Sequence, residues 1–232
     1  MRAREVKKPH QAACGERFAS LDISGAKLAG YNLVVVFEEL PIGAILHEMA
    51  RRLLPEHPSP LITEIPDQLL TVIYPQRQIQ CQFANRRVDV RDRRGMDPAT
   101  EPFSTVAINA VEAATTASGK PVVAYGYNFD VHLPLQGDDP AVFLKARFLT
   151  DPNKLGQAFG GDVKTVGIKA SIHRSDSQAN FDIEPLLDGQ TGLIKAHVNY
   201  HYERRKPPAQ ATELVTQIQE RYQEFLTALQ RL

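Results

Sequence analysis

The sequence predicts an α+β protein in which two similar β-α-β-β-β-α halves share one curved antiparallel sheet, covered on one face by helices. Three observations carry this expectation. Several segments alternate oily and polar residues with a period of two, as strands with one buried face do. Two longer segments, 103–118 and 209–232, carry an apolar stripe at helical spacing. The order strand, helix, three strands, helix occurs before residue 120 and again after it.

Residues 1–29 are polar and weakly patterned, and read as a leader ordered only by a neighbour. The first half spans 30–120. It opens with NLVVVFE at 32–38, a β-branched apolar run that reads as a buried strand. Ile42, Ile45, Leu46, Met49 and Leu53 then form one stripe of a helix that Pro55 stops. Strands follow at 69–74, 78–83 and 87–91. In the second of these Ile79, Cys81 and Phe83 point inward and Gln78, Gln80 and Gln82 outward. A helix at 103–118 carries Phe103, Val106, Ala107, Ala110, Val111 and Ala114, with Gly119 as its C-terminal cap.

The second half spans 121–232. A strand at 122–135 contains Tyr127-Asn128-Phe129, echoing Tyr31-Asn32-Leu33 at an offset of 96 residues. The stretch 140–149 fits strand or helix. Asp151-Pro152 is a cap-and-proline helix start, and Gly160-Gly161 ends that helix. Strands at 163–173, 180–187 and 192–203 lead to a last helix striped with Leu214, Ile218, Tyr222, Phe225, Leu229 and Leu232. That seam runs for about two heptads, so core packing outranks a dimer contact.

The opening strand NLVVVFE, the mid-chain strand VVAYGYNFDV and the segment FDIEPLL carry a resemblance of layout. The chain resembles the saddle-shaped TATA-box-binding proteins and a sporadically distributed family of prokaryotic proteins with the same duplicated arrangement. The resemblance covers most of 31–230 and implies a shared sheet with one long helix per half. It assigns no functional residue, because fold and function separate readily. TATA-box-binding proteins meet DNA with a basic, apolar face and Phe wedges, whereas the outward strand positions here mix both charges.

Charge and composition exclude several classes. Lys plus Arg total 27 and Asp plus Glu total 27, so no net field draws the chain to nucleic acid or an anionic membrane. No apolar run reaches the roughly 18 residues of a membrane span. The basic start lacks a hydrophobic stretch and reads as no secretory signal, which places the protein in the cytoplasm. Two cysteines, Cys14 and Cys81, are too few for a disulfide scaffold.

Two constellations hold chemistry. On the second half-sheet, Lys195, His197, Asn199, His201 and Glu203 share a face with Lys169, Ser171 and His173 and with Asp182 and Glu184. His173, Asp182, Glu184, His197, Asn199 and His201 are the ligand or acid–base candidates. His197 and His201 lie about 13 Å apart along a strand, too far to share one zinc. A cross-strand pair of His197 with His173 depends on register. The plainer reading is a wet face on which acids offset Lys and His. The second constellation is Arg86, Arg87, Arg91, Arg93 and Arg94, where guanidinium forks suit phosphate. Asp89 and Asp92 interrupt it, and a solvated hairpin is the plainer reading. No nucleotide loop, serine elbow, zinc helix or paired CxxC occurs. The expectation is a non-catalytic binding or assembly module for a protein partner or a second copy, with no cofactor or metal. A small-ligand site or enzyme on the histidine face is second, and nucleic-acid binding third.

Overall fold

The computed structural model describes residues 21–95, 98, 100–135, 139–186 and 192–232. The first portion contains β1 (Lys27–Phe37), α1 (His47–Arg51), β2 (Leu61–Ile65), β3 (Leu69–Tyr74), β4 (Ile79–Ala84), β5 (Arg87–Asp92) and α2 (Glu101–Ser118). The second contains β6 (Val122–Pro134), α3 (Pro140–Phe148), α4 (Pro152–Phe159), β7 (Ile168–His173), β8 (Gln178–Pro185), β9 (Leu193–Glu203) and α5 (Ala211–Gln230). All nine strands form one open antiparallel sheet in the order β2-β3-β4-β5-β1-β6-β9-β8-β7. The first strand of each portion meets the other at the centre. No helix among the described residues is long and apolar enough to cross a membrane.

Period-two alternation decides which residues form the core. Tyr31, Leu33, Val35 and Phe37 of β1 are buried beside Tyr125, Tyr127, Phe129, Val131 and Leu133 of β6. α2 covers them with Phe103, Val106, Ala107, Ala110 and Ala114, and α5 with Leu214, Ile218, Tyr222, Phe225 and Leu229. Small alanines let α2 approach closely. Gly119 caps it in the left-handed region at φ 59°, where a side chain would be strained. Phe129 touches both layers: its ring centroid lies 5.5 Å from Tyr222 and 6.3 Å from Tyr31 and Tyr200. The α5 stripe is thus spent inside the chain. Beneath α5, Arg221 sits over the rings of Tyr200 and Tyr202. Burial pushes the Tyr202 phenol up to about 12, so it stays neutral at ordinary pH.

Several expectations are corrected. Residues 1–20 of the expected leader lie outside the described residues; of the rest, Leu21 bridges to Leu135 and β1 begins at Lys27. The helix expected through Ile42–Leu53 is a 3-10 turn at Ile42–Ala44, an extended link and the five-residue α1. Ile45 is extended at ψ 97° and Leu46, expected on the buried stripe, is 61 % exposed. The sequence reading had no strand at β2, so the first portion carries four strands after its short helix and not three. The ambiguous stretch after residue 139 is helical, with the Asp139 carboxylate accepting from the Ala141 and Val142 amides. The strand expected from 163 starts at Ile168. Cys14 lies outside the described residues; Cys81 is a buried free thiol whose pKa burial raises.

Replacing Phe129 with Ala is expected to cost about 3–5 kcal/mol, the range for a fully buried aromatic. Urea denaturation checks this, as a lowered midpoint with unchanged slope.

Candidate functional site

Strand register brings the outward side chains into rows that cross the sheet. The central row runs Asn32, Asn128, Asn199, Asn180 and Ser171, on β1, β6, β9, β8 and β7. The side chains bond along the row. Asn199 Nδ2 donates to Asn128 Oδ1 at 2.8 Å, and Asn180 Nδ2 donates to Asn199 Oδ1 at 3.4 Å. Ser171 Oγ and Gln178 Nε2 both donate to Asn180 Oδ1 at 2.7 Å. At the other end Asn32 Nδ2 donates to Asp89 Oδ1 at 2.8 Å. Asparagine is depleted from strands, so four in one row are not explained by backbone preference. Buried residues of α1, α2, α3 and α5 join the core on the opposite face, while in the row Asn32 is 8 % exposed and Asn128, Asn199 and Asn180 are half-buried.

A charged row runs alongside it: Lys169, Asp182, His197, Asp130 and Gly30. Lys169 pairs with Asp182 at 3.0 Å, and His197 Nδ1 meets Asp130 Oδ1 at 2.9 Å. That bond from His197 holds the Asp130 carboxyl below its usual range. Farther out, Lys195 pairs with Glu184 at 3.1 Å. His132 stands opposite Lys195 on the neighbouring strand. On the other side of the asparagine row, His173, Gln178 and His201 are aligned.

The six sequence candidates therefore share a face but not a point. His197 belongs with Asp182 and Asp130, His173 with His201, Asn199 with the amide row, and Glu184 with Lys195. The pair His197 with His173 does not form. No group of three or more His, Cys, Asp or Glu among the described residues is placed to hold a metal. Alternation predicts the face, but Asn32, Asn128, Asp130 and Asn180 were missed as site residues. The Tyr-Asn echo at 31–32 and 127–128 is the signal that could have found the first two.

The arginine cluster disperses. Arg86 Nε donates to the Phe37 carbonyl, and Arg91 pairs with Asp89 at 3.3 Å. Arg94 forms a fork on the buried Asp92 carboxylate and reaches Thr100 Oγ1 at the start of α2. Arg87 and Arg93 are exposed and have no ion-pair partner among the described residues. A hollow of about 600 Å³ opens beside the His197–Asp130 pair, lined by Gly30, Asn32, Arg91, Arg93 and Asn128 among others.

Neither a family model nor a curated protein matches this chain.

Two outcomes follow from these partners. Arg94→Ala strands the Asp92 carboxylate, which is 2 % exposed, and is expected to cost about 3–5 kcal/mol. Arg91→Ala, at an exposed pair, is expected to cost under about 1 kcal/mol; paired urea titrations separate them. Asp130 has a depressed folded pKa, so its contribution is present above the unfolded carboxylate pKa and fades as pH falls through the folded one. The stability gap between wild type and Asp130→Asn is therefore expected to narrow on acidification, read from denaturation midpoints in a pH series.

Proposed function

We propose that the chain is a non-catalytic recognition module that offers the polar sheet face to a protein partner or a second copy. The observation that carries this reading is the amide row Asn32–Asn128–Asn199–Asn180. Asn128, Asn199 and Asn180 hold one another and Asp89 holds Asn32, and fixed polar groups lose little freedom when they bind. Carboxamides both donate and accept, which suits peptide groups and polar side chains. Cross-strand pairs of this kind contribute only roughly 0.2–1 kcal/mol each to the fold, so stability alone is a weak reason for the row.

Charge supports a protein partner over nucleic acid. Lys27, Arg87, Arg91, Arg93, Lys169 and Lys195 on this face stand against Asp89, Asp130, Asp182, Glu184 and Glu203. A phosphate backbone would meet nearly as many acids as bases, and duplex binding draws chiefly on unopposed cations.

We also infer an internal duplication. At the 96-residue offset Asn32 corresponds to Asn128, and these two face each other in register. Counted outward from that pair, the strand order sets β5 against β9, β4 against β8 and β3 against β7, with β2 unmatched. This order is consistent with the TATA-box-binding-protein-like layout and gives no argument for DNA.

Affinity capture from cell extract tests the partner reading, with wild type, Asn180→Arg/His201→Glu, and the helix-side variant Glu213→Lys as baits. Sedimentation of each bait alone reports self-association. Wild type and Glu213→Lys are expected to hold the same stoichiometric partner or dimer, and the face variant to lose at least about tenfold of it. A partner retained by the face variant and lost by Glu213→Lys contradicts the assignment.

A further inference from the structure

We propose that the hollow between β1, β5, β6 and β9 is a site for a small polar molecule bearing an oxyanion, a carboxylate or a phosphate. The site goes beyond the partner-binding reading and does not rest on it. Its volume, about 600 Å³, lies within the roughly 300–1,000 Å³ of small-molecule pockets. Gly30 keeps it open. A Cβ there would meet only the Asp92 carbonyl, at 3.4 Å, so the backbone does not demand glycine at that position.

The donors around the hollow are unevenly committed. Arg94, next in sequence, is used up by Asp92, and Arg91 is shared with Asp89. Arg93 lines the hollow, is exposed, and has no ion-pair partner among the described residues. Asn128 gives its Oδ1 to Asn199, which leaves its Nδ2 donor without a partner among the described residues. His197 is tied through Nδ1 to Asp130, and its Nε2 has no partner among the described residues. A guanidinium and a carboxamide donor thus face one space beside the His197 ring, and an oxyanion satisfies both donors.

The test titrates the full chain with inorganic phosphate and, separately, with succinate, following backbone amide signals by NMR. Saturable shifts at Gly30, Arg93, Asn128 and His197 are expected with at least one anion, and the tighter one names the anionic group. Arg93→Gln and Gly30→Leu are each expected to weaken binding roughly tenfold or more, the scale of one charge-assisted hydrogen bond or a filled pocket. Lys154→Gln, on α4, leaves it unchanged. Thermal melts establish that each variant is folded. Absence of saturable shifts with both anions overturns the proposal, as does binding undiminished in both Arg93→Gln and Gly30→Leu. Both variants leave Asn180 and His201 intact, so partner capture survives if only the anion site fails.

Discussion

The antiparallel pairing of β1 with β6, from Lys27 opposite His132 to Phe37 opposite Val122, joins five strands on one side to four on the other. On its inner face it sets Tyr31 beside Phe129 and Leu33 beside Tyr127, under α2 and α5. On its outer face the same register sets Asn32 beside Asn128. A slip of one residue would exchange the two faces, burying asparagine and exposing phenylalanine. The oily face thus enforces the alignment that the polar face displays.

That coupling explains how the polar rows of the outer face keep a fixed geometry. Rows of side chains inherit their positions from a backbone ladder held by a core on the other side. The amide row is then continuous across β1, β6, β9, β8 and β7, and the His197–Asp130 contact joins residues far apart in sequence. Asp92 shows the opposite case. It points inward from β5, and Arg94 follows it to neutralise the charge and fasten the chain entering α2. An arginine run that resembles a phosphate-binding patch in sequence is partly internal bracing in space.

Strand faces were legible because burial imposes a period of two. β3, β4, β5 and β9 lie within a residue or two of their sequence-read bounds, and α2 and α5 follow their stripes. β2 was not legible. It is an edge strand in which Leu61 and Ile65 are exposed, so its oily residues report no burial. The stripe from Ile42 to Leu53 misled because a 3-10 turn, an extended link and one helical turn can bury Ile42, Ile45 and Leu53 as well as a helix can. The candidate site was half legible. Alternation put His197, Asn199, Asp182 and Lys169 on one face, but the row each occupies is set by its partners on neighbouring strands. Asp130 and His197 meet only because β6 pairs with β9.

Native-state hydrogen exchange resolved by residue tests the central seam most directly. Inner ladder amides of β1 and β6 are predicted to be among the slowest in the protein, and to exchange together, in the same global event. Faster exchange of β1 and β6 than of the β4–β5 or β8–β9 ladders, with the two portions opening independently, would contradict a sheet built across that pairing.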